Sequence, residues 1–150
     1  MALAAQLAYL SGKSQAQILR LLKTALNEEG IDFGKRKRGA RTFVTWTPEL
    51  RRVVNECQAL PSKLASIYVF CNRDGQPYTT SGFKAMWNRL QIAWEAAGNE
   101  RFHFHDLRAK AVTDVMAQGR KASELTGHRD EQTPAKIYDR RSMRKSPAVR

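Results

Sequence analysis

Four residues suited to chemistry lie in one stretch, Phe102 to Asp139: His105, Arg108, His128 and Tyr138. His105 and Arg108 are three residues apart, so on a helix they project from one face. His128 and Tyr138 follow on a short segment broken by turns. Arginine and histidine can donate to phosphate oxygens, and a tyrosine oxygen can attack phosphorus. The pattern predicts a site that holds a phosphate and attacks it with a phenol oxygen.

A strongly basic segment lies between Gly34 and Arg41, in the sequence GKRKRGAR. The runs on either side are β-rich, so the segment is predicted to form the tip of a β-hairpin. Five cations in seven residues exceed what protection of a sheet edge requires, and we interpret them as phosphate contacts. A lysine on a mobile loop can also act as the general acid that cleavage of a phosphodiester needs. The candidate DNA-contacting residues are Lys35, Arg36, Lys37, Arg38 and Arg41.

The overall charge favours a nucleic acid partner. Lysine and arginine number 26 against 14 acidic residues, which gives a net charge of +12 and a sequence pI near 10.2. Clustered cations gain free energy when they release the counterions of phosphates. A membrane partner is disfavoured because the apolar runs are too short to span a bilayer, and the amino-terminal segment is interpreted as an amphipathic helix rather than a signal peptide. We therefore expect a cytoplasmic protein, associated with the nucleoid of a bacterial or phage host cell.

No metal or other cofactor is predicted. His103, His105 and Asp106 form a small cluster, but two histidines at positions i and i+2 do not share a helix face, and no third ligand follows at a suitable spacing. Cys57 and Cys71 lack the spacing of a zinc knuckle or a redox motif, so we expect two reduced, partly buried thiols.

The elements that must position the site are mainly helical, in a chain long enough for one domain with a real core. The fold class is predicted as α+β, mainly α, with a small antiparallel sheet. The aromatic and apolar residues between Thr79 and Ala97 recur at helical spacing, so we interpret them as core rather than as a platform for stacking bases. Helices are predicted over 2–10, 14–26, 47–60, 80–97, 105–118, 122–126 and 134–138, with a hairpin over 31–46 and a strand over 67–70.

Three motifs at this spacing identify a resemblance: HDLR at His105 to Arg108, TGH at Thr126 to His128, and IYDR at Ile137 to Arg140. Together with the basic hairpin, the TPEL segment and NRDGQPYTTSGFKAMW before a long helix, they resemble the catalytic domain of the tyrosine recombinases, the phage-type integrase family. The resemblance covers nearly all 150 residues. It implies the fold of the DNA breaking-rejoining enzymes and site-specific recombination through a 3′-phosphotyrosyl intermediate, without a cofactor.

The resemblance also assigns roles to residues of this chain. Arg108 corresponds to the second catalytic arginine, and His105 to its phosphate-binding companion. His128 would bind the scissile phosphate and Tyr138 would be the nucleophile. Lys37 matches the family's general-acid lysine. Lys35 remains the alternative, because the register of the hairpin can shift by one or two residues.

One departure from the family lies near the amino terminus. The family usually carries its first catalytic arginine in a TGxRxxE-like motif, whereas the matching stretch here is SGKSQAQ, Ser11 to Gln17. Ser14 stands at the arginine position and Gln17 at the acidic position. Lys13 is adjacent, but on a helix it would point about 100° away from Ser14. Loss of one such donor costs about 10²–10³-fold in rate, unless Lys13 or a hairpin cation compensates in part.

Several interpretations therefore remain open. The chain is predicted to be a single catalytic domain, residues 1–150, with a basic tail over 139–150 and without the amino-terminal domain usual in the family, either as a fragment or as a truncated remnant. The partners expected are double-stranded DNA and other copies of the chain, as a tetramer on DNA, although the isolated domain can be a monomer. A catalytically impaired DNA-binding remnant and an activity like that of type IB topoisomerases are the alternatives.

Overall fold

The computed structural model describes residues 1–35 and 40–126, and they form a mainly helical domain with one two-stranded sheet. The predicted fold class is thereby confirmed. No helix in these two ranges is long and apolar enough to cross a membrane. The helices are α1 (Ala2–Ser11), α2 (Gln15–Leu19), a 3-10 turn (Lys23–Ala25), α3 (Pro48–Gln58), α4 (Thr80–Ala96), α5 (Phe104–Ala117) and α6 (Ala122–Thr126); the strands are β1 (Gly30–Lys35) and β2 (Arg41–Thr45).

The two strands of the predicted hairpin are present. Strands β1 and β2 pair antiparallel, with Ile31 opposite Val44. Ile31 is fully buried in the main core, which also contains the apolar faces of α1 and α3. Gly30 is required where the strands approach, because a Cβ there would lie 2.1 Å from the carbonyl oxygen of Val44. The sheet therefore anchors the base of the basic hairpin to the domain.

The helix predicted over residues 14–26 and the strand predicted over 67–70 are both wrong in part. Helix α2 ends at Leu19, and the chain then pairs with the later segment through one isolated antiparallel bridge, Leu22 to Tyr68. The amide of Val69 donates to the carbonyl oxygen of Leu21 at 2.8 Å. These tertiary hydrogen bonds replace the helical ones, which local propensity alone does not reveal.

The prediction that the aromatic and apolar residues of α4 are core is right for one face of the helix only. Phe83 and Trp87 are buried, and both rings pack edge-on against Phe104 at the start of α5, at 5.0 and 5.1 Å between centroids. The other four face outward because a single neighbouring layer covers α4: Met86, Leu90, Ile92 and Trp94 are each at least 36% exposed. The buried face fixes α4 against the helix that carries the predicted site.

The two thiols also match the prediction. Both cysteines are free; Cys57 is buried on α3 and Cys71 is partly exposed. Burial raises the pKa of the Cys57 thiol to about 12, so this thiol stays protonated at neutral pH.

A side-chain hydrogen bond joins α1 to α5, the helix that carries His105 and Arg108. The Tyr9 hydroxyl donates to Asp114 Oδ2 at 2.6 Å, and Lys110 donates to both carboxylate oxygens, at 2.5 and 2.6 Å. The hydrogen bonds from Lys110 and, next, from Tyr9 lower the pKa of Asp114. Since the folded state favours the ionised carboxylate, this contribution to stability is present at neutral pH and is lost as the pH falls through the folded-state pKa of Asp114.

We expect Tyr9→Phe to lower the free energy of unfolding by about 1 kcal/mol at neutral pH, because one partly buried hydrogen bond is removed. The difference should shrink in acid, where Asp114 is protonated in both proteins. Urea denaturation at neutral and acidic pH measures both effects. Tyr68→Phe is the matched control, because the Tyr68 hydroxyl makes no hydrogen bond within the described part of the chain. An equal loss in the two variants would contradict the assignment.

Candidate active site

The first turn of α5 positions the HDLR motif. His103 is the N-cap residue, and its backbone N–H donates to Asp106 Oδ2 at 2.8 Å. Phe104 is buried against the aromatic face of α4, so the start of the helix is held on two sides. His105 is then exposed on the surface, whereas Arg108, one turn later, is only 2% exposed.

The guanidinium of Arg108 joins three parts of the fold. It donates to the carbonyl oxygen of Gly12, in the turn after α1, and to that of Thr126, at the end of α6, the latter at 3.1 Å. Carbonyl groups at helix ends lack partners within the helix, so a buried guanidinium stabilises both ends. Arg108 therefore ties α5 to the turn before α2 and to the residues that directly precede His128.

The turn after α1 requires glycine. Gly12 has φ +62°, in the left-handed region, and it caps α1. A Cβ on Gly12 would lie 2.5 Å from the side chain of Leu125. The positive φ and the close approach together bring the Gly12 carbonyl to Arg108 and the turn to α6.

Lys13 follows in this turn and is buried, with 1% exposure. Its Nζ donates to the carbonyl oxygen of Leu125 at 2.6 Å and lies 5.1 Å from the centre of the Phe33 ring. The argument that Lys13 points 100° away from Ser14 is wrong, because it assumed a helix that includes both residues, and α2 begins only at Gln15. Lys13, which precedes the position where the family has its first arginine, thus reaches the site of Arg108 from a turn and not from a helix.

Ser14 adopts a capping role. It is the N-cap residue of α2, and both its backbone N–H and its hydroxyl bond to Gln17 Oε1, at 3.2 and 3.0 Å. The family's arginine and acidic positions are therefore occupied here by a neutral, hydrogen-bonded pair. This pair fixes the start of α2 but brings no charge to the site.

One cavity of about 190 Å³ brings the predicted residues together. Arg108 and His105 line it from α5, and Lys13 and Ser14 line it from the turn before α2. A guanidinium, an ammonium and an imidazole are all donors for an anionic oxygen ligand. The arrangement can hold a phosphate group. The complete lining is Lys13, Ser14, Gln15, Ala16, Phe104, His105 and Arg108.

The basic hairpin is described only at its two arms. Lys35 is exposed at the end of β1, and Arg41 opens β2. Arg41 forms an ion pair with Asp32, and its Nε lies 3.2 Å from each carboxylate oxygen. The hydrogen bond from Arg41 and, next, that from the Gly34 amide lower the pKa of Asp32. Sequence reasoning missed Asp32, which balances part of the charge of the predicted DNA-contacting cluster.

The remaining predicted site residues lie outside the described residues: Arg36, Lys37, Arg38, His128 and Tyr138. Their placement in the site stays a prediction. Within residues 1–35 and 40–126, no three histidine, cysteine, aspartate or glutamate side chains group in a way that could hold a metal ion.

Comparison with known proteins decides the family. The model of the phage integrase family matches residues 16–145, which is most of the chain and includes all three motifs. The chain belongs to the phage integrase family. A comparison of the sequence with curated proteins gives no match.

Solved structures of integrases share the fold of this family member. A lambda integrase tetramer bound to a Holliday junction matches with a TM-score of 0.73 and 16% identity, over 98% of this chain and 44% of that one. The Tn1549 transposon integrase bound to circular intermediate DNA gives a TM-score of 0.76 and 13% identity, over 91% of this chain and 54% of that one. The lambda integrase catalytic core gives a TM-score of 0.66 and 18% identity, over 84% of this chain and 81% of that one. The chain thus spans about half the length of the two DNA-bound integrases.

Proposed function

We propose that this chain is the catalytic domain of a site-specific recombinase, which cleaves and rejoins DNA through a 3′-phosphotyrosyl intermediate. The observation that carries the proposal is the cavity in which Lys13, His105 and Arg108 meet. Family membership supports the same chemistry. The domain comprises residues 1–150, with 139–150 as a basic tail.

In this mechanism, the buried cations hold the scissile phosphate before any bond changes. Arg108 and Lys13 are fixed by backbone carbonyls, so they meet the developing negative charge without reorganisation. His105 lines the open side of the cavity and donates to the same phosphate. No metal is needed for this step, since the cations supply the electrostatic stabilisation.

The reaction itself is a transesterification. The phenol of Tyr138 releases its proton to solvent as its oxygen attacks phosphorus, the bond to the 5′-oxygen breaks, and a 3′-phosphotyrosyl bond forms. Lys37, or Lys35 in the shifted register, protonates the leaving oxygen, and His128 hydrogen-bonds the phosphate. The 5′-hydroxyl of a partner strand then attacks the phosphotyrosine and regenerates the phenol.

The proposed substrate is double-stranded DNA, bound mainly through its phosphates by the hairpin cations Lys35, Arg36, Arg38 and Arg41. Affinity should therefore fall steeply with salt. The lambda integrase tetramer bound to a Holliday junction supports a tetramer of this chain on DNA. The exchange of the basic tail between neighbours is an implication of the family resemblance. Such an activity belongs in the cytoplasm, at the nucleoid.

The impaired-remnant alternative has less support. Ser14 brings no charge to the site, but a second buried cation, Lys13, lines the cavity together with Arg108. Nothing in the described residues favours a topoisomerase-like activity over site-specific recombination.

Covalent capture tests the proposal. The substrate is a pool of nicked duplexes with randomised sequence around the nick, so that the short strand released on cleavage diffuses away and the protein stays attached. We expect the wild-type chain to form a protein–DNA adduct, and Tyr138→Phe to form none. An adduct that survives Tyr138→Phe would assign the nucleophile elsewhere, and absence of any wild-type adduct from the pool would contradict the function.

A further inference from the structure

A second cavity, of about 390 Å³, lies beside the phosphate cavity, between α4 and the start of α5. Gln15, Phe104 and His105 line both cavities, so the two are neighbours on one surface. Consecutive phosphates of one DNA strand are separated by only about 3.4 Å along the axis of the duplex. A strand that places one phosphate in the first cavity therefore brings the next one close to the second.

The lining of this second cavity suits an anion. No acidic residue lines it within the part of the chain that the structure describes, whereas Asp32 lines a cavity beside β1. Arg101 lines the second cavity, but its guanidinium already bonds to Glu95 and Asn88. Lys84 also lines it, is exposed, and forms no ion pair or hydrogen bond with any described residue. The Lys84 ammonium is therefore the cation that is available to a ligand.

Two neutral side chains line the same cavity as Lys84. Thr80 is one helical turn before Lys84 on α4, so the two side chains project from the same face of the helix. Gln15 lies where the two cavities meet. The side chains of Thr80 and Gln15 have no hydrogen-bond partner among the described residues, unlike those of Ser14 and Gln17, which bond to each other. A hydroxyl, an amide and an ammonium are all donors for phosphate oxygens.

We propose that this cavity is a subsite for the phosphate next to the scissile one on the same DNA strand. The inference rests on the proposed function, because it takes the first cavity as the site of the scissile phosphate. Lys84 neutralises the charge of the neighbouring phosphate, and Thr80 and Gln15 donate to its oxygens. The subsite fixes the strand on one side of the scissile phosphate, so that the phosphorus stays in position while the bond to the 5′-oxygen breaks.

Two nucleotides that differ by one phosphate test the subsite without any cleavage. Thymidine 3′,5′-bisphosphate has two phosphates joined by one deoxyribose, as in a DNA strand, and thymidine 5′-monophosphate has one. We expect the full chain to bind the bisphosphate about tenfold more tightly. The ring signal of His105, which lines both cavities, reports binding in an NMR titration and is assigned by its loss in His105→Gln. Equal affinities for the two nucleotides would overturn the proposal.

Matched variants separate this subsite from the general positive charge of the chain. Lys84→Met keeps the length of the side chain and removes the charge, so it should abolish the preference for the bisphosphate and leave the affinity for the monophosphate unchanged. Arg89→Met removes another exposed cation of α4, which does not line the cavity and has no partner among the described residues, and it should keep the preference. An equal loss in the two variants would contradict the subsite.

The salt dependence of binding to duplex DNA gives a second measure. With a duplex of random sequence, Lys84→Met should weaken binding and lower the slope of log affinity against log salt concentration by about one, since one phosphate contact is lost. Arg89→Met should change the slope far less. A wild-type slope in Lys84→Met would contradict the contact with DNA. Neither measurement requires Tyr138 or cleavage, so failure of this inference is distinct from failure of covalent capture.

Discussion

Replacing Arg108 with lysine should lower the rate of DNA cleavage by about 10²–10³-fold, although the charge is kept. The guanidinium donates to the Gly12 and Thr126 carbonyls from a fixed plane while it lines the phosphate cavity. An ammonium cannot span both carbonyls and also present paired N–H groups to a phosphate. The rate of adduct formation in a single turnover measures the effect.

Arg108→Lys should also destabilise the fold, because at least one buried carbonyl loses its donor, at a cost of about 1–3 kcal/mol. Urea denaturation measures this separately from the rate. Arg73→Lys, on an exposed turn, is the matched control and should change neither quantity. A variant that cleaves DNA at the wild-type rate would exclude Arg108 from the phosphate clamp.

The second large effect is expected at Lys13. Lys13→Met keeps the length of the side chain but removes the charge, so cleavage should slow by about 10²–10³-fold. The free energy of unfolding should change far less, since removal of a buried charge offsets the loss of the hydrogen bond to the Leu125 carbonyl. Adduct formation and urea denaturation, measured on the same protein, give the two quantities.

The contrast between rate and stability distinguishes a phosphate-binding role from a structural one. If Lys13 only joined the turn to α6, Lys13→Met would lower stability and rate together. Lys13→Arg, which keeps the charge, should recover part of the rate. Lys63→Met, at an exposed lysine, controls for the loss of one positive charge from the whole protein.

The sequence predicted those parts of the fold that local patterns determine. Thr47 and Pro48 start α3 as expected, because a threonine N-cap and a proline in the first turn are local signals. Helix α6 has the predicted bounds, and the hairpin pairs as predicted. The spacing of the HDLR motif predicted that His105 and Arg108 project from one face of a helix, and both line the same cavity from α5.

The features that the sequence did not reveal all depend on contacts between distant segments. The early end of α2 follows from hydrogen bonds to residues near Tyr68, which no local pattern encodes. The position of Lys13 depends on the Gly12 turn and on the carbonyl of Leu125, 112 residues away along the chain. Gly12 was the sequence signal that could have revealed this position. A glycine turn before Lys13 places Lys13 outside the helix, so the 100° rotation between neighbouring helical residues does not apply to Lys13 and Ser14.

The most direct test of the account compares adduct formation by the wild-type chain with that by Ser14→Arg, on the same pool of nicked duplexes. If Lys13 and Arg108 already form the phosphate clamp, the wild-type chain forms the adduct, and the added arginine increases the rate no more than a few-fold. If the chain is an impaired remnant, Ser14→Arg forms the adduct and the wild type does not. That second result would contradict the central claim that Lys13 and Arg108 form the phosphate clamp without a second arginine.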